Sequence, residues 1–349
     1  MSPAAKPLRV GIIGAGQVAQ TAHIPGYLQC SGVTVAAVAD PQPGRARSLA
    51  DAFGIPEAFE DAAEMLARCG LDAVSVCTPN RYHHPMAIAA LAAGCHVFCE
   101  KPPALSVPEA AAMAAAAGNA GKVLAYNFHY RQGSEVQALK RQIAEGAFGE
   151  IYAGKVQALR RRGIPGWGSF TDKALQGGGP LIDIGIHMLE TALYLMDYPQ
   201  PDYVSAGTHC RIGNRPGIGL MGPWDPARFT VEDSAFGFIR FAGGATLLLE
   251  TAFALNIGER SRMNVELYGE LAGASVFPPI IYTEAGGELA DIRLPLLAEE
   301  DRHSLSIQSF VKACRGEPAS FCGPREGLML QRLVAGLYQS AETGEPVKI

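Results

Sequence analysis

An aspartate and a histidine four residues apart are well suited to proton transfer. Asp183 and His187 lie in the segment GGGPLIDIGIH, residues 177–187. On a helix these two side chains share a face, and a neutral histidine beside a carboxylate is a general base near neutral pH. Gly185 lies between them and leaves that side of the helix without bulk. The pattern predicts a catalytic pair, although a helix cap followed by a buried histidine has the same spacing.

A second charged pair, Glu100 and Lys101, directly follows the apolar segment Cys95–Cys99. Charge at the end of a buried strand is unfavourable unless it is used. Lys101 is therefore a candidate for binding a ligand and for polarising a substrate hydroxyl, with Glu100 beside it. A simple surface ion pair is the alternative interpretation.

A glycine-rich turn follows the first apolar run of the chain. Gly14, Gly16 and Ala19 fit the G-x-G-x-x-G/A pattern, in which the glycines permit a tight turn and a close approach to a pyrophosphate at a helix N-terminus. The candidate phosphate-binding residues are Gly14, Ala15, Gly16, Gln17 and Val18. The pattern by itself is weak, because an unliganded glycine turn can look the same.

Asp40 strengthens the dinucleotide interpretation because it ends the second apolar run, 21 residues after Ala19. A carboxylate there accepts hydrogen bonds from the adenosine ribose hydroxyls and repels a 2′-phosphate. We therefore expect NAD rather than NADP, with the neighbouring Arg45 and Arg47 as the argument for NADP.

A third strand end carries the segment Cys77-Thr78-Pro79-Asn80. Proline cannot continue a strand ladder, so the strand stops here, and Thr78, Asn80 and the nearby His83 become candidate neighbours of the cofactor. An ordinary helix-capping role for Asn80 is equally consistent with the pattern.

The first 127 residues alternate strand-like and helix-like segments. Such alternation is typical of right-handed βαβ units in a parallel, doubly wound sheet, which binds ligands at the carboxyl ends of its strands. The predicted strands are 8–13, 33–39, 73–77, 95–99 and 122–126, and the predicted helices are 17–29, 43–53, 62–68, 82–93 and 107–117.

The remaining residues, 128–349, no longer alternate strand-like and helix-like segments regularly. Consecutive strands joined by turns such as Ala242-Gly243-Gly244 indicate a mostly antiparallel sheet. The predicted strands are 150–160, 203–211, 232–241, 245–253, 263–268 and 275–277, and the predicted helices are 134–145, 180–196, 304–314 and 326–340. The fold class is therefore an α/β Rossmann domain, 1–127, followed by an α+β domain, 128–349.

Composition excludes several classes of protein. With 29 basic and 34 acidic residues the net charge is −5, which offers no field for nucleic-acid binding. Hydrophobic residues make up 48% of the 349 residues, which excludes intrinsic disorder. There is no signal-peptide pattern and no apolar run long enough to span a membrane, so we expect a cytoplasmic protein.

The eight cysteines do not indicate a disulfide framework, because the chain is large and lacks a secretory signal. Cys95 and Cys99 lie near His83, His84 and His96, but their spacing matches no standard zinc motif. We expect buried thiols and no metal.

The order of these motifs resembles the Gfo/Idh/MocA oxidoreductase family over essentially the whole chain. The family implies a Rossmann domain, a second domain with a large open-faced sheet, and homodimers or homotetramers formed through that sheet. Its catalytic lysine corresponds to Lys101, and its aspartate and histidine correspond to Asp183 and His187.

The segments LRRRGIPGWG, 159–168, and FTDK, 170–173, together with the C-terminal residues 335–344, are most similar to the D-glucoside 3-dehydrogenases within that family. The resemblance implies NAD-dependent oxidation of the C3 hydroxyl of a glucoside, with Arg160, Trp167 and Lys173 as candidate sugar contacts. Alternatively, Trp167 belongs to the core and the basic residues are solvated. The rival functions are an inositol or aldose dehydrogenase, C3 oxidation that assists glycoside cleavage, and a non-catalytic dinucleotide sensor.

Overall fold

The computed structural model describes residues 6–349. Its strands are β1 (Leu8–Ile13), β2 (Val33–Ala39), β3 (Glu57–Phe59), β4 (Ala73–Val76), β5 (His96–Cys99), β6 (Leu124–Tyr126), β7 (Ile151–Arg160), β8 (Pro201–His209), β9 (Ser234–Phe241), β10 (Thr246–Ala252), β11 (Ser261–Gly269), β12 (Gly273–Ser275), β13 (Ile280–Ala285), β14 (Glu288–Arg293) and β15 (Val347–Lys348). Its α-helices are α1 (Ile24–Leu28), α2 (Arg45–Phe53), α3 (Ala62–Arg68), α4 (His83–Ala92), α5 (Val107–Ala120), α6 (Ser134–Ala144), α7 (Lys173–Gln176), α8 (Ile186–Leu195), α9 (Arg302–Cys314) and α10 (Pro324–Thr343).

Two π-helical turns lie where the sequence predicts uninterrupted helices. Ala19–His23 precedes α1, and Leu181–Gly185 precedes α8. Three short 3₁₀ turns occupy Asn80–Tyr82, His129–Gln132 and Pro226–Arg228. π-Helical turns are rare and are frequently found at functional sites, and the second of these contains Asp183.

Among the described residues, the first unit comprises 6–129 and 301–328. Its six strands are parallel and have the order β3-β2-β1-β4-β5-β6, which is that of a doubly wound Rossmann sheet. The predicted α/β fold class is therefore confirmed. The order reverses between β1 and β4, so the residues that follow these two strands lie at the switch point where such folds bind ligands.

Residues 301–328 return to the first unit, whereas the sequence-based division places them in a continuous second domain. The reason is the apolar face of α9. Ile307, Phe310 and Val311 are buried in the same core as the sheet residue Phe98, and the rings of Phe98 and Phe310 stack at 5.1 Å.

The second unit comprises residues 130–300 and 329–349. Its nine-stranded sheet has the order β14-β13-β12-β11-β7-β10-β9-β8-β15 and is antiparallel except for the pair of β7 and β10. This confirms the mostly antiparallel sheet. On one face, Leu247 and Leu249 of β10 are buried, whereas Leu248 on the opposite face is 52% exposed. One face of the sheet thus covers a core and the other lies open.

Among residues 6–349, no helix is long and apolar enough to cross a membrane. All eight cysteines are free thiols, and those at 77, 95 and 99 are buried as expected.

Candidate active site

The glycine turn after β1 has the geometry that a dinucleotide requires. Gly14 has a φ of +97°, and a Cβ there would lie 2.7 Å from the carbonyl oxygen of Cys77, so only glycine fits. A Cβ on Gly16 would meet only Arg45, at 3.8 Å, so its backbone is open to a ligand. Gln17 and Val18 follow at the start of the helical segment, exposed and half-buried respectively.

Asp40 lies directly after β2 and is oriented by the same turn. Its carboxylate accepts hydrogen bonds from the backbone N–H groups of Ala15 at 2.8 Å and Gln42 at 2.9 Å. Arg45 lies 3.8 Å from the carboxylate, whereas Arg47 pairs with Asp51 on the surface of α2. Asp40 is thus held rigidly at the strand end, where a ribose hydroxyl can meet it.

The segment after β4 contributes a polar atom that suits a ligand. Thr78 Oγ1 is buried and has no hydrogen-bond partner among residues 6–349. Asn80 is buried in the following 3₁₀ turn. His83 places one ring nitrogen 2.7 Å from the carbonyl of Pro102 and the other 3.0 Å from that of Thr78. His83 thereby links the loops that follow β4 and β5, and burial lowers its pKa.

Glu100 is the centre of a buried hydrogen-bond network after β5. Its Oε1 accepts from Asn127 Nδ2 at 2.7 Å and lies 2.9 Å from His23 Nε2. The other nitrogen of His23 contacts Ser75, which also bonds the hydroxyl of Tyr27. Sequence reasoning missed this network, because its members lie up to 77 residues apart.

The network favours the charged form of Glu100. Burial raises the pKa of its carboxyl, but the hydrogen bond from His23, the His23 charge, the Asn127 bond and the neighbouring Lys101 outweigh burial, so the pKa lies well below its usual range. Lys101 is half-buried, and its backbone N–H bonds Glu100 Oε2 at 3.2 Å. The pair is built into the strand end rather than onto a solvated surface.

The predicted proton-transfer pair lies in the second unit, across the junction of a π-helical turn and α8. Asp183 is half-buried within the turn, and His187 is 7% exposed in the first turn of α8. The ring of His187 lies 5.4 Å from that of Tyr130, which contacts Phe277 at 5.8 Å between ring centres. An aromatic wall therefore shields one side of the proposed base.

Close packing on β10 fixes the turn that holds Asp183. Thr251 Oγ1 donates to the carbonyl of Pro180 at 2.9 Å. A Cβ on Gly185 would lie 3.0 Å from the Thr251 side chain, so the glycine permits this contact.

A carboxylate that the sequence did not reveal caps the start of the same turn. Glu232 accepts hydrogen bonds from the backbone N–H groups of Gly179 at 2.9 Å and Leu181 at 3.2 Å, and from the hydroxyl of Tyr338 at 2.8 Å. A Cβ on Gly178 would collide with the Tyr338 hydroxyl, and one on Gly179 with the Glu232 carbonyl. The glycine run therefore serves this close packing.

The surroundings perturb both titrating groups of this cap. Burial raises the pKa of the Glu232 carboxyl, although its three hydrogen bonds oppose the shift. Burial and the nearby Glu232 raise the pKa of Tyr338 well above its usual value. No local pattern could have revealed the cap, since Glu232 lies 51 and 53 residues from the amides that it accepts and 106 from Tyr338.

The candidate sugar contacts lie on and after β7. Arg160 ends the strand and places its guanidinium 5.8 Å from the ring centre of Phe253. Trp167 is 45% exposed and meets Phe170 edge-on at 6.4 Å. Lys173 is exposed at the start of α7, which is capped by Asp172. Trp167 therefore does not belong to the core and presents an accessible ring.

Comparison with known proteins decides the family. Residues 8–128 match the oxidoreductase family with an NAD-binding Rossmann fold, and residues 136–275 match the GFO/IDH/MocA C-terminal domain. The chain belongs to the Gfo/Idh/MocA oxidoreductase family. It is an oxidoreductase with NAD as its cofactor, and the turn at Gly14, the carboxylate of Asp40 and the buried hydroxyl of Thr78 fit that dinucleotide.

Individual members of the Gfo/Idh/MocA family are similar over nearly the whole chain. The sequence is 47% identical to the D-glucoside 3-dehydrogenase of Escherichia coli K12 over 98% of both chains. It is 25% identical to the myo-inositol 2-dehydrogenase of Thermotoga maritima, again over 98% of both. The crystal structure of an oxidoreductase domain protein from Kribbella flavida has the same fold, with a TM-score of 0.86, 24% identity and 99% of both chains covered.

Proposed function

We propose that this protein oxidises the C3 hydroxyl of a glucoside, or of a related pyranose, to a ketone with NAD. The observation that carries the proposal is the full-length, 47% identity to the Escherichia coli D-glucoside 3-dehydrogenase. The much lower identity to the inositol dehydrogenase, 25%, makes an inositol a weaker candidate. The retention of Lys101, Asp183 and His187 supports an enzyme rather than a sensor of dinucleotides.

In this mechanism His187 accepts the proton of the substrate hydroxyl. Its low exposure and the neighbouring Tyr130 keep bulk water from the imidazole, so the proton transfer is directed to the substrate. Asp183 orients the imidazole and balances the positive charge that His187 acquires. By its resemblance to the catalytic lysine of the family, Lys101 polarises a substrate hydroxyl and stabilises the negative charge that develops on its oxygen.

Bound NAD would supply the hydride acceptor for the substrate carbon, and the hydroxyl proton would go to the protein. The turn from Gly14 to Val18 would hold the pyrophosphate, and Asp40 would hold the adenosine ribose. Thr78, Asn80 and His83 would flank the dinucleotide, and Glu100 would keep Lys101 in place at the nicotinamide ribose.

The sugar is proposed to contact Arg160, Trp167 and Lys173. An exposed indole ring offers an apolar face for the C–H surface of a pyranose, and the cationic groups donate to its hydroxyls. These three residues are presented from one stretch of chain that joins β7 to α7.

The test is NADH formation from methyl glucosides, glucose and myo-inositol, with NMR of the product to locate the carbonyl. Methyl glucosides deuterated at C2, C3 or C4 make this test more specific, because deuterium slows the reaction strongly only at the carbon whose C–H bond is broken. We expect a primary isotope effect and NAD deuteration from the C3 compound alone. Preferred oxidation of myo-inositol, or label transfer from another carbon, would refute the C3 assignment.

Two substitutions test the proton-transfer scheme. Lys101→Ala and His187→Ala should each lower kcat by about 100-fold or more, the scale of general acid–base catalysis. Lys122→Ala, a half-buried lysine before β6, is the control and should be close to wild type. Near-normal turnover in both active-site variants would contradict the scheme.

The open face of the second unit's sheet supports assembly into a homodimer or homotetramer. This face carries four exposed apolar side chains: Phe236 (38% exposed), Leu248 (52%), Tyr268 (41%) and Tyr282 (44%). Exposed apolar surface on this scale marks interaction sites, and sedimentation velocity of the purified protein tests the assembly.

We place the protein in the cytoplasm, since its eight free thiols suit a reducing compartment.

A further inference from the structure

A groove of about 900 Å³ in the second unit is lined by four arginines. Residues 161–162 follow β7, residues 215–220 belong to the loop after β8, and residues 256–260 lead into β11. The arginines are Arg161, Arg162, Arg215 and Arg260. None of the roles proposed above uses this groove.

The charge of the groove is not balanced by the protein. Its lining contains no carboxylate, and none of the four guanidinium groups forms a salt bridge within residues 6–349. Arg161 donates to the carbonyl of Gly258 and Arg162 to the side-chain oxygen of Asn256 at 3.1 Å, both neutral acceptors. Several cations that converge on one concave surface favour an anion, which each guanidinium can bind with paired donors.

The groove also has an apolar side. Ile218 is 86% exposed and Leu220 is 44% exposed, and Pro216 lies beside them. A ligand that matches both sides is amphipathic: an apolar or aromatic body that carries a negatively charged group.

The groove is built rather than formed by loose surface side chains. Arg162 has a φ of +53°, an unfavourable conformation for arginine that is typical of functional positions. Its carbonyl accepts a hydrogen bond from Leu220 N at 2.8 Å, which ties the loop after β8 to it. A Cβ on Gly217 would lie 3.0 Å from Trp224 and 3.4 Å from Arg162 Nη1, so these groups pack closely.

A short stretch of chain in the second unit connects the groove wall with the turn that holds Asp183. Thr251 contacts Pro180 and Gly185 in the turn that holds Asp183. The chain leaves β10 after Ala252 and reaches Asn256 in the groove wall five residues after Thr251, a stretch that spans at most about 18 Å.

We propose that this groove binds the aglycone of the substrate and selects glucosides whose apolar aglycone carries an anionic group such as a carboxylate. The inference rests on the proposed function, because the sugar at His187 directs the aglycone towards the arginines. Ile218 and Leu220 contact the aglycone body, and the guanidinium groups pair with its charge.

The test compares 4-carboxyphenyl glucoside with its neutral isostere, 4-carbamoylphenyl glucoside, in both anomers. We expect wild type to prefer the carboxylate by about tenfold in kcat/KM, through KM rather than kcat. The preference should shrink at high salt, because the groove is open to solvent. In the double variant Arg215→Gln, Arg260→Gln the preference should fall to about threefold or less, because two of the four guanidinium groups remain, whereas Arg240→Gln, an exposed arginine on β9, should keep the wild-type preference. Equal use of both glucosides by wild type, or a preference that survives undiminished in the double variant, overturns the proposal.

A second measurement separates this proposal from the proposed function. Calorimetric titration with 4-hydroxybenzoate and 4-hydroxybenzamide probes the groove without any sugar or turnover. Binding of the benzoate to wild type, weakened in the double variant and absent for the benzamide, supports the groove even if no glucoside is oxidised. If neutral glucosides are oxidised but the benzoate does not bind, or binds equally to wild type and the double variant, the groove proposal is refuted while the proposed function stands.

Discussion

Removal of the Glu232 carboxylate should loosen the turn that holds Asp183 without disturbing NAD binding. The carboxylate accepts three hydrogen bonds, at 2.9 Å from Gly179 N, 3.2 Å from Leu181 N and 2.8 Å from the Tyr338 hydroxyl. Bonds to charged groups contribute roughly 1.5–3 kcal/mol each, and the two shorter bonds alone mean that Glu232→Ala should cost about 3–6 kcal/mol locally.

Glu232→Gln provides a graded comparison. Gly179 N bonds one carboxylate oxygen, and Leu181 N and Tyr338 share the other. An amide can keep its oxygen toward only one of these sets, and its NH₂ then faces a backbone N–H. About one bond is lost, which corresponds to roughly 1–2 kcal/mol.

Hydrogen exchange measured by mass spectrometry on peptides that cover residues 177–186 reads this local free energy directly. Glu232→Ala should exchange about 100-fold faster there or more, and Glu232→Gln about tenfold faster. We also expect lower kcat with unchanged KM for NAD, because the dinucleotide residues belong to the first unit. Glu259→Ala, an exposed carboxylate paired with Arg262, is the control and should exchange as wild type does. Wild-type exchange in Glu232→Ala, or equal effects of both substitutions, would refute the reasoning.

Three further predictions concern the cofactor turn, the buried carboxylate and the open sheet. Gly14→Ala forces a Cβ to 2.7 Å from a backbone oxygen at a φ of +97°, so the affinity for NAD, measured by fluorescence titration, should fall more than tenfold. The control is Gly54→Ala, which has a φ of +67° but open space around it and should retain the wild-type affinity. Equal losses of affinity in the two variants would contradict the argument. The pKa of Glu100 lies below its ordinary value of 4.5, so the charged carboxylate stabilises the folded state above pH 4.5, and this stabilisation is lost as the pH falls below that value. Glu100→Gln should therefore flatten the acid side of the curve of unfolding free energy against pH, measured by urea unfolding. An unchanged curve would count against the network. Leu248→Glu places a charge on the exposed sheet face and should shift sedimentation velocity towards the monomer, whereas an unchanged sedimentation coefficient would place the interface elsewhere.

Local patterns in the sequence were sufficient to predict five of the six strands of the first sheet and the glycine turn after β1. β1 and β2 have the predicted bounds, because continuous apolar runs are typical of a parallel sheet buried on both faces. The helix with Asp183 and His187 was also predicted, although not its π-helical start. That turn depends on Thr251 and Glu232, which are distant in sequence and therefore leave no periodic signal.

Other elements had no sequence signal for a different physical reason. β14 is exposed at nearly every position, so its residues show no alternation between buried and exposed faces. β3 has only three residues, too few for a period to be recognised. The arginine groove joins three loops after β7, after β8 and before β11, and only the fold brings these loops together.

The return of residues 301–328 to the first unit affects the order of events during synthesis. Ile307, Phe310 and Val311 of α9 complete the core around Phe98, yet they are translated after every strand of the second sheet except β15. The NAD-binding unit therefore cannot finish folding when its own sheet has left the ribosome. Its folding is completed only after α9 has been synthesised. A nascent chain that stops at residue 129 would expose to chaperones and proteases the apolar surface against which that helix packs.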